Sequence, residues 1–345
     1  MVSDINYNIV IDFIQSITRI INANEWPDYA KRFKLNNEIS EYVKYVQDNM
    51  DPILKRDMEY YCGKFCKGLF AVIFYAIDED INDIGILLDN MDKMSGEDLV
   101  NIIIQKLELD IPEDASEKQI QTVIEDDLRN DMQDLDKVEI YMDYFRYPNE
   151  MKERLVITLR EYYNKFFESI EQDVKDFMDK KLNEHRLLIK EDYDKFFDNM
   201  VMLIDKDVVI DKEVKFYICY FSEIGCGLRY TEDGVYTITY GYGLEQKYDD
   251  NMKKMEYREL IKLLNDDNRF KIIDLLGKRS WYSKELADHL GITTATMSYH
   301  IKKMSTLGIF DIETGKNKRL YYRLNKNKFI KIVNNMLFDI IDAQE

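Results

Sequence analysis

The stretch that most restricts how this chain can fold is ELADHLGITTATMSYHIKKM, Glu285 to Met304. Leu286 and Leu290 lie at helical spacing, Gly291 breaks the run, Thr293 supplies a cap, and Met297, Ile301 and Met304 resume the apolar stripe. Two helices this short are marginal alone, so each must close on the other and on a small surrounding core. The flanks provide one. KMEYRELIKLLN and DNRFKIIDLLGK read as helices, the second with Gly277 as its C′ residue, and Ser283 caps KELADHL. IFDIETGKNKRLYYRL reads as two strands around TGKNK, and NKFIKIVNNMLFDII as a closing amphipathic helix.

Helix, helix, turn, helix, hairpin is the order of a winged helix-turn-helix. The major groove of B-DNA admits one α-helix, so a reader must present a short helix braced by a second. On a wheel of 3.6 residues per turn, the face opposite Met297, Ile301 and Met304 presents Ala295, Tyr299, Lys302 and Thr306, flanked by Thr296, Ser298 and Lys303. Thr294 stands at the N-terminal end, where such a helix reaches bases. Ala295 suits a thymine methyl, and small hydroxyl side chains permit close approach to base edges. Thr296 and Lys303 are better placed for phosphates, which fix position without reading sequence. The hairpin tip holds Lys316, Lys318 and Arg319. A basic tip alone is more often a solvated turn, but directly after a recognition helix it is expected along the DNA backbone or in the minor groove.

The segments NRFKIIDLL, SKELADHLGITTATMSYHIKKMSTLGIF and GKNKRLYYRLN resemble the DNA-binding domain of the ArsR family of bacterial regulators. The likeness covers roughly the last quarter of the chain. It implies a transcription regulator, more often a repressor, that reads a partly palindromic operator as a homodimer. It also implies an interface built from the helix around Leu260 to Leu264 and the helix carrying Phe329, Val333, Met336, Leu337 and Ile340. Half-sites would then lie about 34 Å apart, one turn of DNA. Metal-sensing members carry paired cysteines at the start of the helix before the turn, or Asp and His on the last helix. Here the first position reads SWYSKELA, with Tyr282 and Lys284 and no thiol, and the last helix has no His. No metal is expected at either place, and no cofactor.

Charge separates this module from the rest. The chain of 345 residues has a net charge of −18, yet from Met252 onward 18 Lys and Arg face 12 Asp and Glu, a net of +6, which leaves −24 on the remaining residues. Such asymmetry marks separate jobs. The expected fold is mainly α. Residues 1–250 form an acidic helical domain ending in a small antiparallel β-sheet, for sensing or dimerisation. Residues 251–345 form the winged helix-turn-helix with a C-terminal dimerisation helix. IVIDFIQSITRII has helical periodicity, Pro52 follows Asp51 as a helix start, and Ser95 with Asp98 is spaced as a capping box. EVKFYICYF, CGLRYT and GVYTITY read as the strands, with Glu232-Asp233-Gly234 as a hairpin turn. The layout is similar to long bacterial members of the same family with an uncharacterised N-terminal region, a likeness carried by INYNIVIDFIQSI and KFYICYF.

The acidic region offers little chemistry. It has no phosphate-cradling glycine loop, no HExxH and no GxSxG. Cys62 and Cys66 share a helix face; they are a redox pair, half a soft-metal site, or, more commonly for such spacing, buried neighbours of Tyr61, Phe65 and Leu69. Cys219 and Cys226 read as buried in the sheet, His185 as solvated on a charged helix, His289 as structural, and His300 as lying at the edge of the apolar face. The aromatics at 141–147 and 193–197 either line a ligand pocket or, as is more usual, fill a core. No apolar run reaches the ~18–20 residues of a membrane span, and the N-terminus lacks a signal-peptide pattern, so a cytoplasmic, non-enzymatic protein is expected. Its expected partners are double-stranded DNA, a second copy, and a small-molecule or protein effector of the N-terminal domain. Two rival readings are a winged helix used for protein contacts, and an enzyme or ligand sensor in the N-terminal region with the DNA module as its targeting arm.

Overall fold

Ten of the thirteen residues of helix α1 (Ile9–Ile21) are buried, and they include Asp12, Ser16 and Arg19 of its polar face as well as its apolar stripe. The structure, a computed structural model, describes residues 5–22, 36–62, 67–112, 114–130, 138–200, 209, 212–223, 225–230, 235–243, 250–314 and 320–341. Their contacts divide them into two compact units, which meet in sequence between Gly243 and Asp250.

In the first unit a short strand β1 (Ile5–Tyr7) leads into α1, whose cap Asn8 accepts the Val10 N–H at 2.9 Å. Around α1 pack α2 (Asn37–Asn49), α3 (Pro52–Cys62), α4 (Lys67–Asp78) and α5 (Ile84–Lys93). Asp51 accepts the N–H groups of Ile53 and Leu54 ahead of Pro52. Ser95 and Asp98 form the full capping box of α6 (Gly96–Lys106), so both starts follow the sequence signal. Next come α7 (Glu117–Asn130) and α8 (Val138–Arg146), which pair, and α9 (Pro148–Tyr162) with its proline in the first turn. A π-helical turn, Tyr163–Phe167, passes directly into α10 (Glu168–Glu191), which is followed by α11 (Tyr193–Met200).

The class is mainly α, but the first unit's sheet is mixed rather than antiparallel. Strands β2 (Glu213–Cys219), β3 (Cys226–Tyr230) and β4 (Val235–Gly241) join β1 in the order β1-β2-β4-β3. Only β3 and β4 are antiparallel; β2 runs parallel to both β1 and β4. The short link after β2 therefore does not fold back as a hairpin. It crosses the end of β4 to reach the far edge. Gly241 makes that crossing possible: a Cβ there would collide with the backbone of Glu223 and Ser222. The Gly241 N–H donates to Gly225 O at 3.0 Å, and the Tyr242 N–H to Cys219 O at 3.1 Å. The expected turn at 232–234 lies outside the described residues.

Buried polar groups tie this crossing to α1. Asp12 Oδ1 accepts the N–H groups of Tyr220 and Phe221 at 2.7 and 2.9 Å. Arg19 pairs with Glu223 at 2.9 Å, and Glu223 also accepts the Asn36 N–H at 2.6 Å. A charge removed from water needs such partners.

The second unit contains α12 (Asp250–Leu264), α13 (Asp267–Leu276), β5 (Trp281–Tyr282), α14 (Ser283–Leu290), α15 (Thr294–Ser305), β6 (Phe310–Thr314), β7 (Leu320–Leu324) and α16 (Lys326–Ile341). This is the winged helix-turn-helix order. Two details differ from expectation. Gly277 closes α13 with an ordinary right-handed φ of −66°, and Ser283 is the first residue of α14, with Tyr282 as its cap. Strand β5 extends the wing into a sheet ordered β5-β7-β6; two residues are too few to show alternation in sequence.

Candidate nucleic-acid interface

The turn between α14 and α15 rests on Gly291, whose φ of +67° is the left-handed conformation that favours glycine. Thr293 then caps α15 by accepting the Thr296 N–H at 3.1 Å. With α14 packed against α15, Met297, His300, Ile301 and Met304 form a buried stripe and Leu286 is buried opposite. That stripe fixes which residues face outward. Thr294, Ala295, Thr296, Ser298, Tyr299 and Lys302 are exposed, and Lys303 is half-buried. Tyr299 is 54% exposed, high for so large a ring.

Two hydroxyls are partly engaged. The Thr296 hydroxyl lies 2.8 Å from that of Thr293, and the Thr306 hydroxyl donates to Lys303 O at 2.8 Å. The open face is therefore carried by Thr294, Ala295, Ser298, Tyr299 and Lys302. Lys316, Lys318 and Arg319, expected at the wing tip, lie outside the described residues.

Behind the exposed face stands Arg269, which the sequence reading did not single out. Its Nε donates to His300 Nδ1 at 3.4 Å, and Asp266 caps α13 by accepting the Arg269 N–H at 3.0 Å. That backbone bond, aided by the Arg269 charge, holds the Asp266 carboxyl below its ordinary range. Arg279 lies 3.4 Å above the Trp281 ring and donates to Glu285 at 2.7 Å, while Trp281 also meets the His289 ring. Thus Trp281, near the start of SWYSKEL, is stacked between the Arg279 guanidinium and the His289 ring.

A second feature lies on α12 and α16, which pack together. Leu260 and Leu263 turn into the unit's own core, while Ile261, Ile330, Leu337, Ile340 and Ile341 remain exposed. Phe329, Val333 and Met336 are half-buried.

The first unit's candidates are mostly accounted for by packing. Cys62 is buried, and Cys66 lies outside the described residues. Cys219 and Cys226 sit on strands separated by β4, roughly two strand spacings or ~9–10 Å apart, too far for a disulfide. Burial pushes both thiols up, away from the reactive thiolate. His185 is not solvated: it is buried, stacked on Tyr240 and 3.1 Å from its hydroxyl, and burial lowers its pKa to about 4. Phe196 and Phe197 pack on Phe216. Tyr141, Tyr144 and Phe145 line a cavity of about 10 Å³ with Ile124 and Leu128, room for about one water and far below an organic ligand's needs. Among the described residues no group of three His, Cys, Asp or Glu could hold a metal ion, and no helix is long and apolar enough to cross a membrane.

Comparison with known proteins bears on the second unit. The family of sequences described as a helix-turn-helix domain matches residues 263–309, from the end of α12 to the start of the wing. The arsenical resistance operon repressor of Staphylococcus xylosus is 31% identical over 94 residues, which are 26% of this chain and 88% of that protein.

Proposed function

Since the chain belongs, through its C-terminal part, to the ArsR family of winged helix-turn-helix transcriptional regulators, we propose that it is a homodimeric repressor of a partly palindromic operator. The observation that carries this reading is the outward face of α15. A helix braced by a buried stripe presents small hydroxyls, a methyl, a tyrosine and a lysine on one side. These groups match base edges and phosphates in a major groove. Thr294, Ala295, Ser298, Tyr299 and Lys302 read bases; Thr296 and Lys303 position the helix; Lys316, Lys318 and Arg319 of the wing hold the backbone. The relative's name supports the repressor role. The exposed aliphatic residues on α12 and α16 support a second copy as partner, since such a patch is ordinarily covered.

Residues 251–345 then read DNA, while residues 1–250 sense or dimerise. The net −24 carried outside the module opposes nonspecific attachment, which comes from phosphate neutralisation. An effector bound to the N-terminal unit alters the spacing of the two DNA modules. Selection of bound fragments from a random duplex pool tests the reading. The expected product is a palindrome with half-sites one helical turn apart; recovery of no preferred duplex, even at low salt, would remove it.

A further inference from the structure

The buried stripe of α15 contains one polar member. Met297, Ile301 and Met304 are fully buried and His300 is 5% exposed. A buried polar group needs a partner, and Arg269 supplies it from the first turn of α13, Nε to His300 Nδ1 at 3.4 Å. Arg269 is itself held. Its N–H is bonded to the Asp266 cap at 3.0 Å, its guanidinium lies 3.9 Å from the same carboxylate, and its side chain is only 15% exposed. On the other side of His300, the Tyr299 ring meets the imidazole edge-on at 5.8 Å between centroids. An unbroken run of contacts thus leads from the cap of α13 to the most exposed ring of α15.

We propose that Arg269 is a positioning residue that sets the axial rotation of α15 through His300, and so determines how sharply the helix discriminates between DNA sequences. The inference rests on the DNA-reading role of α15 proposed above. Apolar side chains in the stripe resist withdrawal from the core but tolerate a roll about the helix axis; a directed hydrogen bond does not. A roll of about 10° displaces side-chain tips lying ~5–6 Å from the axis by about 1 Å. That is beyond the range over which a base-edge hydrogen bond keeps its length, while long-range attraction to phosphates hardly changes. The bond also fixes the imidazole. With Nδ1 accepting, the ring proton sits on Nε2.

The test uses the full chain and three readouts: the ratio of affinities for the selected and a random duplex, the slope of log affinity against log salt, and the ¹⁵N shifts of His300. Wild type is expected in the Nε2–H tautomer. Arg269→Ala is expected to lose about tenfold in the affinity ratio and to mix the tautomers, with an unchanged salt slope. Arg269→Gln keeps a donor without the charge, so it should retain the tautomer and most of the selectivity; it also serves if the alanine variant fails to fold. In a His300→Leu background, Arg269→Ala should cost no further selectivity. A salt slope shallower by about one with equal losses on both duplexes, shared by Arg269→Gln, would mean a phosphate contact and overturn the inference. Full selectivity in Arg269→Ala would overturn it as well. If wild type itself prefers no duplex, the DNA-reading role fails and the inference with it, an outcome distinct from a selective wild type matched by its variants.

Discussion

Asp12 lies fully buried on the central helix of the N-terminal unit, and its replacement by asparagine should stabilise that unit in a way that depends on pH. Burial raises its carboxyl to about 7 from 3.8, against the opposing pull of the Phe221 and Tyr220 N–H groups. Oδ1 takes both of those bonds, and the buried Tyr7 hydroxyl beside the carboxyl adds a weaker pull in the same direction. A carboxyl raised on folding supplies stability that is complete below about 3.8 and is lost as pH rises through about 7. At 1.36 kcal/mol per unit, the raised carboxyl costs the folded unit about 4 kcal/mol at pH 8, where it is held as the anion, and about 2 kcal/mol at pH 5, where it is held protonated. Asp12→Asn keeps the Oδ1 acceptor, removes the charge and places a donor near the Tyr7 hydroxyl. Its advantage over wild type should therefore grow by roughly 2–3 kcal/mol between pH 5 and pH 8. Hydrogen exchange of peptides spanning α1 and residues 219–223, in both proteins at both pH values, isolates this unit from the other. Taking the difference between the proteins cancels the self-repulsion of a chain with net charge −18. A difference that stays constant with pH, or an asparagine variant less protected than wild type at pH 8, would refute the reasoning.

Two further perturbations address the C-terminal unit. Gly291→Ala meets no atom within 4 Å, so its cost is the left-handed backbone alone, about 1 kcal/mol; Gly291→Asn should cost less, as thermal melts followed by tryptophan fluorescence would show. Leu337→Glu with Ile340→Glu places charge on the exposed aliphatic face of α16. The expected result is a monomer by sedimentation velocity that keeps its helical circular dichroism and loses most of its operator affinity.

The C-terminal unit was legible because its signals are local. Gly291, the Thr293 cap and the stripe Met297–Ile301–Met304 each act within a turn or two, and together they fix which face of α15 turns outward. The capping box at Ser95 and the Asp51–Pro52 start are of the same kind. What escaped depends on distant pairings. The parallel β1–β2 pairing joins Ile5 to Phe216, a partnership that neither strand's own pattern encodes. Nothing in the residues around Gly241 announces that the Glu223 backbone crosses the sheet there. His185 sits among charged neighbours in sequence, but one face of its long helix is buried and the stacked ring of Tyr240 receives it. Arg269 was hidden for a related reason: an arginine in the first turn of an amphipathic helix reads as solvated until its partner on another helix is known.

If this protein reads DNA, the outward face of α15 enters the duplex. The most direct measurement is the affinity of the full chain for its selected duplex, by fluorescence anisotropy at one fixed salt concentration, before and after Tyr299→Ala and Lys302→Ala. Both side chains project from the exposed face, and Tyr299 meets the buried stripe only at the His300 ring, so Met297, Ile301 and Met304 should stay packed. The prediction is a loss of about 1–3 kcal/mol for each base contact removed, with the helical circular dichroism unchanged. Wild-type affinity in the doubly substituted protein would contradict it.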